Sequence, residues 1–181
     1  MLVVVAVLLV MNYSGSTNEK ANNLLFQAGK IAPDSDAAIG AYQKVIDAYS
    51  SSSAAQMARL KLSDIYYSKG DYQKAEELAS PLEKSGYPEI RILGLNNIAA
   101  AQLGKGDAKS AAATYLKAFN DNKNMVKGLS YFNAGLAYLE AGQKEEAKKI
   151  FEELAKEETA FSTSELRSKS KDQLIWIASK P

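Results

Sequence analysis

The feature that most constrains this chain is its self-similarity. A small residue, followed four places later by an aromatic or Ala and three later by an aliphatic or Ala, occurs four times. The sets are Ala38/Tyr42/Val45, Ala75/Ala79/Leu82, Ala111/Tyr115/Ala118 and Ala147/Phe151/Leu154, and their leading alanines step by 37, 36 and 36 residues. Gly70, Gly106 and Gly142 keep the same step of 36. A fixed period of this size means stacked supersecondary units, each too small to bury its apolar face alone. Spacings of three and four make the units helical. Gly before a polar residue, as in Gly70-Asp71 and Gly106-Asp107, closes one helix and caps the next.

Upstream of each glycine a second pattern recurs. Leu62, Ser63 and Tyr66 return as Ile98, Ala99 and Gln102, then as Ala134, Gly135 and Tyr138. A large, a small and an aromatic residue at this spacing predict two helices in close approach at the small position. Together these residues resemble the tetratricopeptide repeat, whose pattern is large-x2-large-small-x2-Tyr in one helix and Ala-x3-Phe in the next. Residues 59–87 and 131–158 match it best. The first and third units depart from it, with Pro33 at the turn and Gln102 in place of Tyr.

The reading is all-α: an α-solenoid of about four such helix pairs with a C-terminal capping helix. The divisions are an apolar segment 1–11, a linker 12–18, repeats at 19–52, 53–87, 88–123 and 124–161, and a cap and tail at 162–181. Helices are expected at 19–31/35–50, 53–69/71–85, 88–104/107–121, 125–141/143–158 and 162–179. Ser162 or Ser164 should cap the last, and Leu174, Ile175, Trp176 and Ile177 should dock it while Arg167, Lys169 and Lys171 stay wet. Pro81 should break the helix it falls in.

Leu2–Met11 is ten unbroken apolar residues, a helix of roughly 15 Å and too short to span a bilayer. It reads either as the outer half of a membrane anchor or as an apolar arm on the protein. The uncharged flank Asn12–Asn18 does not hold this side in the cytoplasm. A membrane-associated domain facing the bacterial periplasm, or an exported one, is the expectation.

His and Cys are both absent, which excludes thiol nucleophiles, disulfides, His-based triads, thiolate metal sites and a lipid-modified cysteine. Lys plus Arg number 22 against 21 Asp plus Glu, so no basic field points to nucleic acid. Glu152-Glu153 and Glu157-Glu158 are interleaved with lysines and read as a solvated helix face. Ser50–Ser53 reads as a turn and helix cap, and no strand precedes the glycines as a phosphate loop requires. No enzyme activity, catalytic residue, metal or cofactor is expected.

The resemblance implies that the first helix of each pair lines a concave face. Its inward positions are Lys20, Asn23, Gln27 and Lys30, then Met57, Leu60, Asp64 and Tyr67. The third unit gives Leu93, Asn96, Ala100 and Leu103, and the fourth Leu129, Phe132, Leu136 and Leu139. The ten assigned to partner binding are Met57, Leu60, Tyr67, Leu93, Asn96, Leu103, Leu129, Phe132, Leu136 and Leu139. Such a surface suits an amphipathic helix or an apolar extended peptide. A closing helix could instead fill the groove, or a second copy could cover it. The layout is similar to single-span tetratricopeptide proteins of the bacterial envelope, such as the ancillary subunit of the Sec translocon. That implies a protein or peptide partner and a chaperone or translocon-accessory role, with a self-associating envelope scaffold as the alternative.

Overall fold

A computed structural model describes residues 2–33 and 35–179, with side chains described from residue 15 onward. Nine α-helices and one 3-10 turn form among the described residues: α1 (Leu2–Ala28), α2 (Asp36–Ala48), α3 (Ser53–Ser68), α4 (Tyr72–Ala79), η1 (Ser80–Lys84), α5 (Pro88–Gly104), α6 (Ala108–Asn120), α7 (Lys127–Glu140), α8 (Lys144–Ala155) and α9 (Ser164–Ser179). No strand interrupts them there, and within each of two units the helices pack in succession, consistent with a tetratricopeptide-like α-solenoid. The contacts divide the chain into two compact units, residues 1–71 and 72–181.

In the first unit α1 packs on α2 and α3. Ser35 and Ser52 cap α2 and α3, each hydroxyl accepting an N–H three residues on at 3.1 Å. This satisfies donors that a helix start leaves orphaned. The expected linker at 12–18 is instead part of α1. Ser, Asn and Thr are mediocre helix formers, but extending an existing helix adds one bond per residue fixed, without a new nucleus. No helix among the described residues is long and apolar enough to cross a membrane.

In the second unit α4 stops at Ala79, and Pro81 sits in the tight turn η1 that follows. Proline lacks the N–H that an α-helix needs there. From α5 onward each helix packs on the next, and α9 closes the unit against α8 and α7. The four leading alanines, Ala38, Ala75, Ala111 and Ala147, are all fully buried.

Three turns share one geometry. Gly70, Gly106 and Gly142 have φ of 79°, 83° and 72°, a left-handed conformation that glycine adopts without strain. In each, the residue after Gly donates its N–H to the carbonyl five back: Asp71 to Tyr66, Asp107 to Gln102, Gln143 to Tyr138. These are Schellman closures. Asp107 then accepts hydrogen bonds from Ser110, which hold its carboxyl below the usual range.

The close approach expected at the small position is real. A Cβ on Gly135 would lie 2.8 Å from the ring of Phe151, itself fully buried. Gly135→Ala should therefore destabilise the protein by about 1–3 kcal/mol. Gly40→Ala, on an exposed helical position with nothing within 4 Å, should be neutral or stabilise by about 0.5–1 kcal/mol. Urea unfolding of both variants checks this, and equal effects would contradict it.

Candidate functional site

The ten residues assigned to a groove do not share one environment. In the first unit Met57 is half-buried, Leu60 is core and Tyr67 is exposed. In the second, Leu93 and Leu129 are about half exposed, at 50% and 54%. Leu103, Leu136 and Leu139 are half-buried against the core formed by α5 to α8. Phe132 is 7% exposed and meets Phe151 edge-on at 5.4 Å. Leu60 and Phe132 thus leave the set, because each lies on the helix side that faces its neighbours.

Asn96 is spent internally. Its amide donates to the Ile92 carbonyl at 2.9 Å, and its oxygen accepts from Ser130 at 3.1 Å. Buried Asn124 donates to the Ala118 carbonyl at 2.9 Å, and its own side-chain oxygen accepts the Val126 N–H at 3.0 Å.

Helix α9 corrects two expectations. Thr163 caps the helix, accepting the Leu166 N–H at 3.2 Å. Ser162 is buried and donates to the Leu154 carbonyl at 2.6 Å. Leu174 and Ile177 dock as expected, whereas Ile175 and Trp176 are 68% and 44% exposed. Four apolar residues in a row must straddle both faces of a helix.

What the structure brings together is an apolar pocket of about 460 Å³ where the α6–α7 loop faces the start of α9. Met125, Val126, Leu129, Phe161 and Leu166 supply its apolar wall, and Glu165 and Lys169 stand at its rim. Glu165 accepts from Lys169 at 2.6 Å, which lowers its carboxyl from the ordinary value. Met125 is 98% exposed.

The loop that carries Met125 and Val126 is pinned. At one end Arg91 donates from Nε to Asp121 at 2.7 Å and from Nη1 to the Ser85 carbonyl at 2.9 Å. That hydrogen bond holds the Asp121 carboxyl below its usual range. At the other end the Lys127 ammonium lies 5.5 Å from the Phe119 ring and 5.2 Å from Phe161. Phe119 stacks on Tyr131 at 4.1 Å and meets Phe161 edge-on at 5.2 Å. This aromatic group was missed by the 36-residue pattern, because Phe161 lies outside its marked positions.

Of the four glutamates read as a solvated face, Glu152, Glu157 and Glu158 are exposed. Glu153 is half-buried and accepts from the Tyr131 hydroxyl at 3.0 Å. A wide depression of about 770 Å³ there mixes Lys149 and Lys156 with Glu152, Glu153 and Glu158, so opposite charges offset one another.

Two measurements follow. Phe132→Ala should cost about 3–5 kcal/mol in urea unfolding, whereas Leu129→Ala should change stability by no more than about 0.5 kcal/mol. Comparable losses would place both in the core. The Tyr131 hydroxyl is pushed up to about 12, first by burial and then by its bond to Glu153. A raised value favours the neutral phenol in the folded state, so its contribution is complete below the ordinary 10.0 and lost as pH rises through about 12. Tyr131→Phe should flatten the fall in stability across that window, and an unchanged slope would count against the bond.

Residues 129–158 match the tetratricopeptide repeat family, and they span α8 and nearly all of α7. No curated protein and no solved structure is significantly similar to the chain. The matched repeat, set among helices paired in the same way, supports a tetratricopeptide-like α-solenoid, and such repeats suggest a protein–protein interaction module.

Proposed function

We propose that the chain is a non-catalytic binding module that holds a polypeptide through the apolar pocket between the α6–α7 loop and α9. The observation that carries this reading is the nearly complete exposure of Met125 beside exposed Val126 and Leu129, on a loop fixed at both ends. Apolar side chains displayed on a fixed backbone bind without the added cost of ordering the loop. A flexible thioether adapts to varied apolar partners. The partner that fits is an amphipathic helix or an extended apolar segment.

The cellular setting belongs to the same proposal. The apolar run Leu2–Met11 and its uncharged flank support association with the bacterial envelope, with the repeats on the outer side of the inner membrane. A chaperone or translocon-accessory role for newly exported chains fits a pocket that reads apolar character more than sequence.

Fluorescence anisotropy of a labelled amphipathic peptide tests the binding. Leu129→Glu and Met125→Glu should each weaken it by roughly tenfold or more, with circular dichroism unchanged. Equal affinity in both variants would remove the pocket from the reading. Recovery of the tagged chain in the cytosolic fraction of cells would overturn the envelope assignment.

A further inference from the structure

We propose that Met125 is a modification site: hydrogen peroxide oxidises its thioether to the sulfoxide, and the change releases a bound peptide from the pocket without disturbing the fold. The inference rests on reading the pocket as a docking site and adds how that site is regulated. The chain has four methionines and no cysteine, so no thiol of its own intercepts a peroxide first. Two of the four, Met57 and Met125, are among the residues whose side chains are described. Met57 is half-buried in α3, whereas Met125 is 98% exposed on the pocket wall. A peroxide must reach the sulfur to react with it, so Met125 is met before Met57.

The sulfur lone pair attacks one peroxide oxygen. The S–O bond forms as the O–O bond breaks, and the second oxygen leaves as water. The thioether loses two electrons and the peroxide gains them. A flexible apolar side chain thereby becomes a polar one. Pressing its new oxygen against an apolar partner strips that oxygen of water, which costs affinity. The fold is spared, because a side chain 98% exposed gives it almost no buried contact. The backbone beneath is held by other groups: Arg91 on Asp121, and buried Asn124 on the Ala118 carbonyl and the Val126 N–H. Oxidation therefore alters what the loop displays and leaves the loop where it is. Leucine would offer similar apolar area with none of this chemistry. The step reverses when a dithiol takes the oxygen away as water and is left as a disulfide. This chain has no thiol, so that reductant is another protein.

The test treats the full chain with limiting hydrogen peroxide, maps the oxidised residues by mass spectrometry and follows anisotropy of the labelled amphipathic peptide. Met125 should gain one oxygen before Met57 does, and affinity should fall roughly tenfold or more in step with it. Circular dichroism should not change. Methionine sulfoxide reductases for both sulfoxide epimers, supplied with dithiothreitol, should restore binding. Met57→Leu should keep the whole response. Met125→Leu, whatever its starting affinity, should bind equally before and after peroxide. Earlier oxidation of Met57, unchanged affinity once Met125 is oxidised, or a Met125→Leu chain that still responds would overturn the switch and leave the docking site standing. An untreated chain that binds no peptide would remove the docking site and the switch together.

Discussion

The contact on which the second unit depends is the meeting of α7 and α8 at Gly135, where Phe151 rests against a position that has no side chain. Dispersion falls off steeply with separation, so helices that touch at backbone distance gain far more than helices held apart by one methyl group. Alanines at the neighbouring positions Ala134, Ala137 and Ala147 allow the same closeness, and all are fully buried. The large residues Ile150, Phe151 and Leu154 of α8 then fill what remains, together with Tyr115 and Phe132. The second unit still leaves apolar residues on its surface. Leu93, Met125 and Leu129 are among those left exposed.

Helix placement was legible because its signals are local. Ser52 before α3, Pro81 after α4, Pro88 opening α5 and the three glycines each act on the backbone within one turn. The small position at Gly135 was legible too, since the pattern demands a residue without bulk. Sidedness was not. The helix α7 carries apolar residues around most of its circumference, so the spacing of Leu129, Phe132, Leu136 and Leu139 fits an open face and a buried one equally well. The core takes Phe132 and leaves Leu129 outside. In α9 the run Leu174–Ile177 hid the same choice. The recurrence of Leu166, Ser170, Leu174 and Ile177 at helical spacing was the better guide to its inner face.

The pocket itself was out of reach of the sequence. Its wall joins the α6–α7 loop to residues more than thirty positions later, in the segment that leads into α9. What brings them together is a backbone contact: a Cβ on Gly128 would lie 2.0 Å from the Phe161 carbonyl oxygen, so only glycine lets the start of α7 settle there. Periodicity describes what each unit shares with the next. Binding surfaces arise where the units differ, and here the difference is an irregular loop stapled by Arg91 and Lys127.

The third unit departs from the tetratricopeptide pattern in another way. Where the pattern calls for Tyr, Gln102 takes a hydrogen bond from Thr114 at 2.8 Å and gives one to Glu76 at 3.0 Å, while Lys105 closes the chain on Glu76. Three helices are joined by a sequence of donors and acceptors that must all point the right way. The Tyr of the pattern carries its single hydroxyl at the far end of a ring, whereas Gln102 divides acceptor and donor between two atoms. Regularising this protein toward an averaged repeat, a common route to hardier variants, would therefore remove at Gln102 the amide that hydrogen-bonds α5 to both α4 and α6. The irregular residue is the one that tells this copy of the repeat which neighbours are its own.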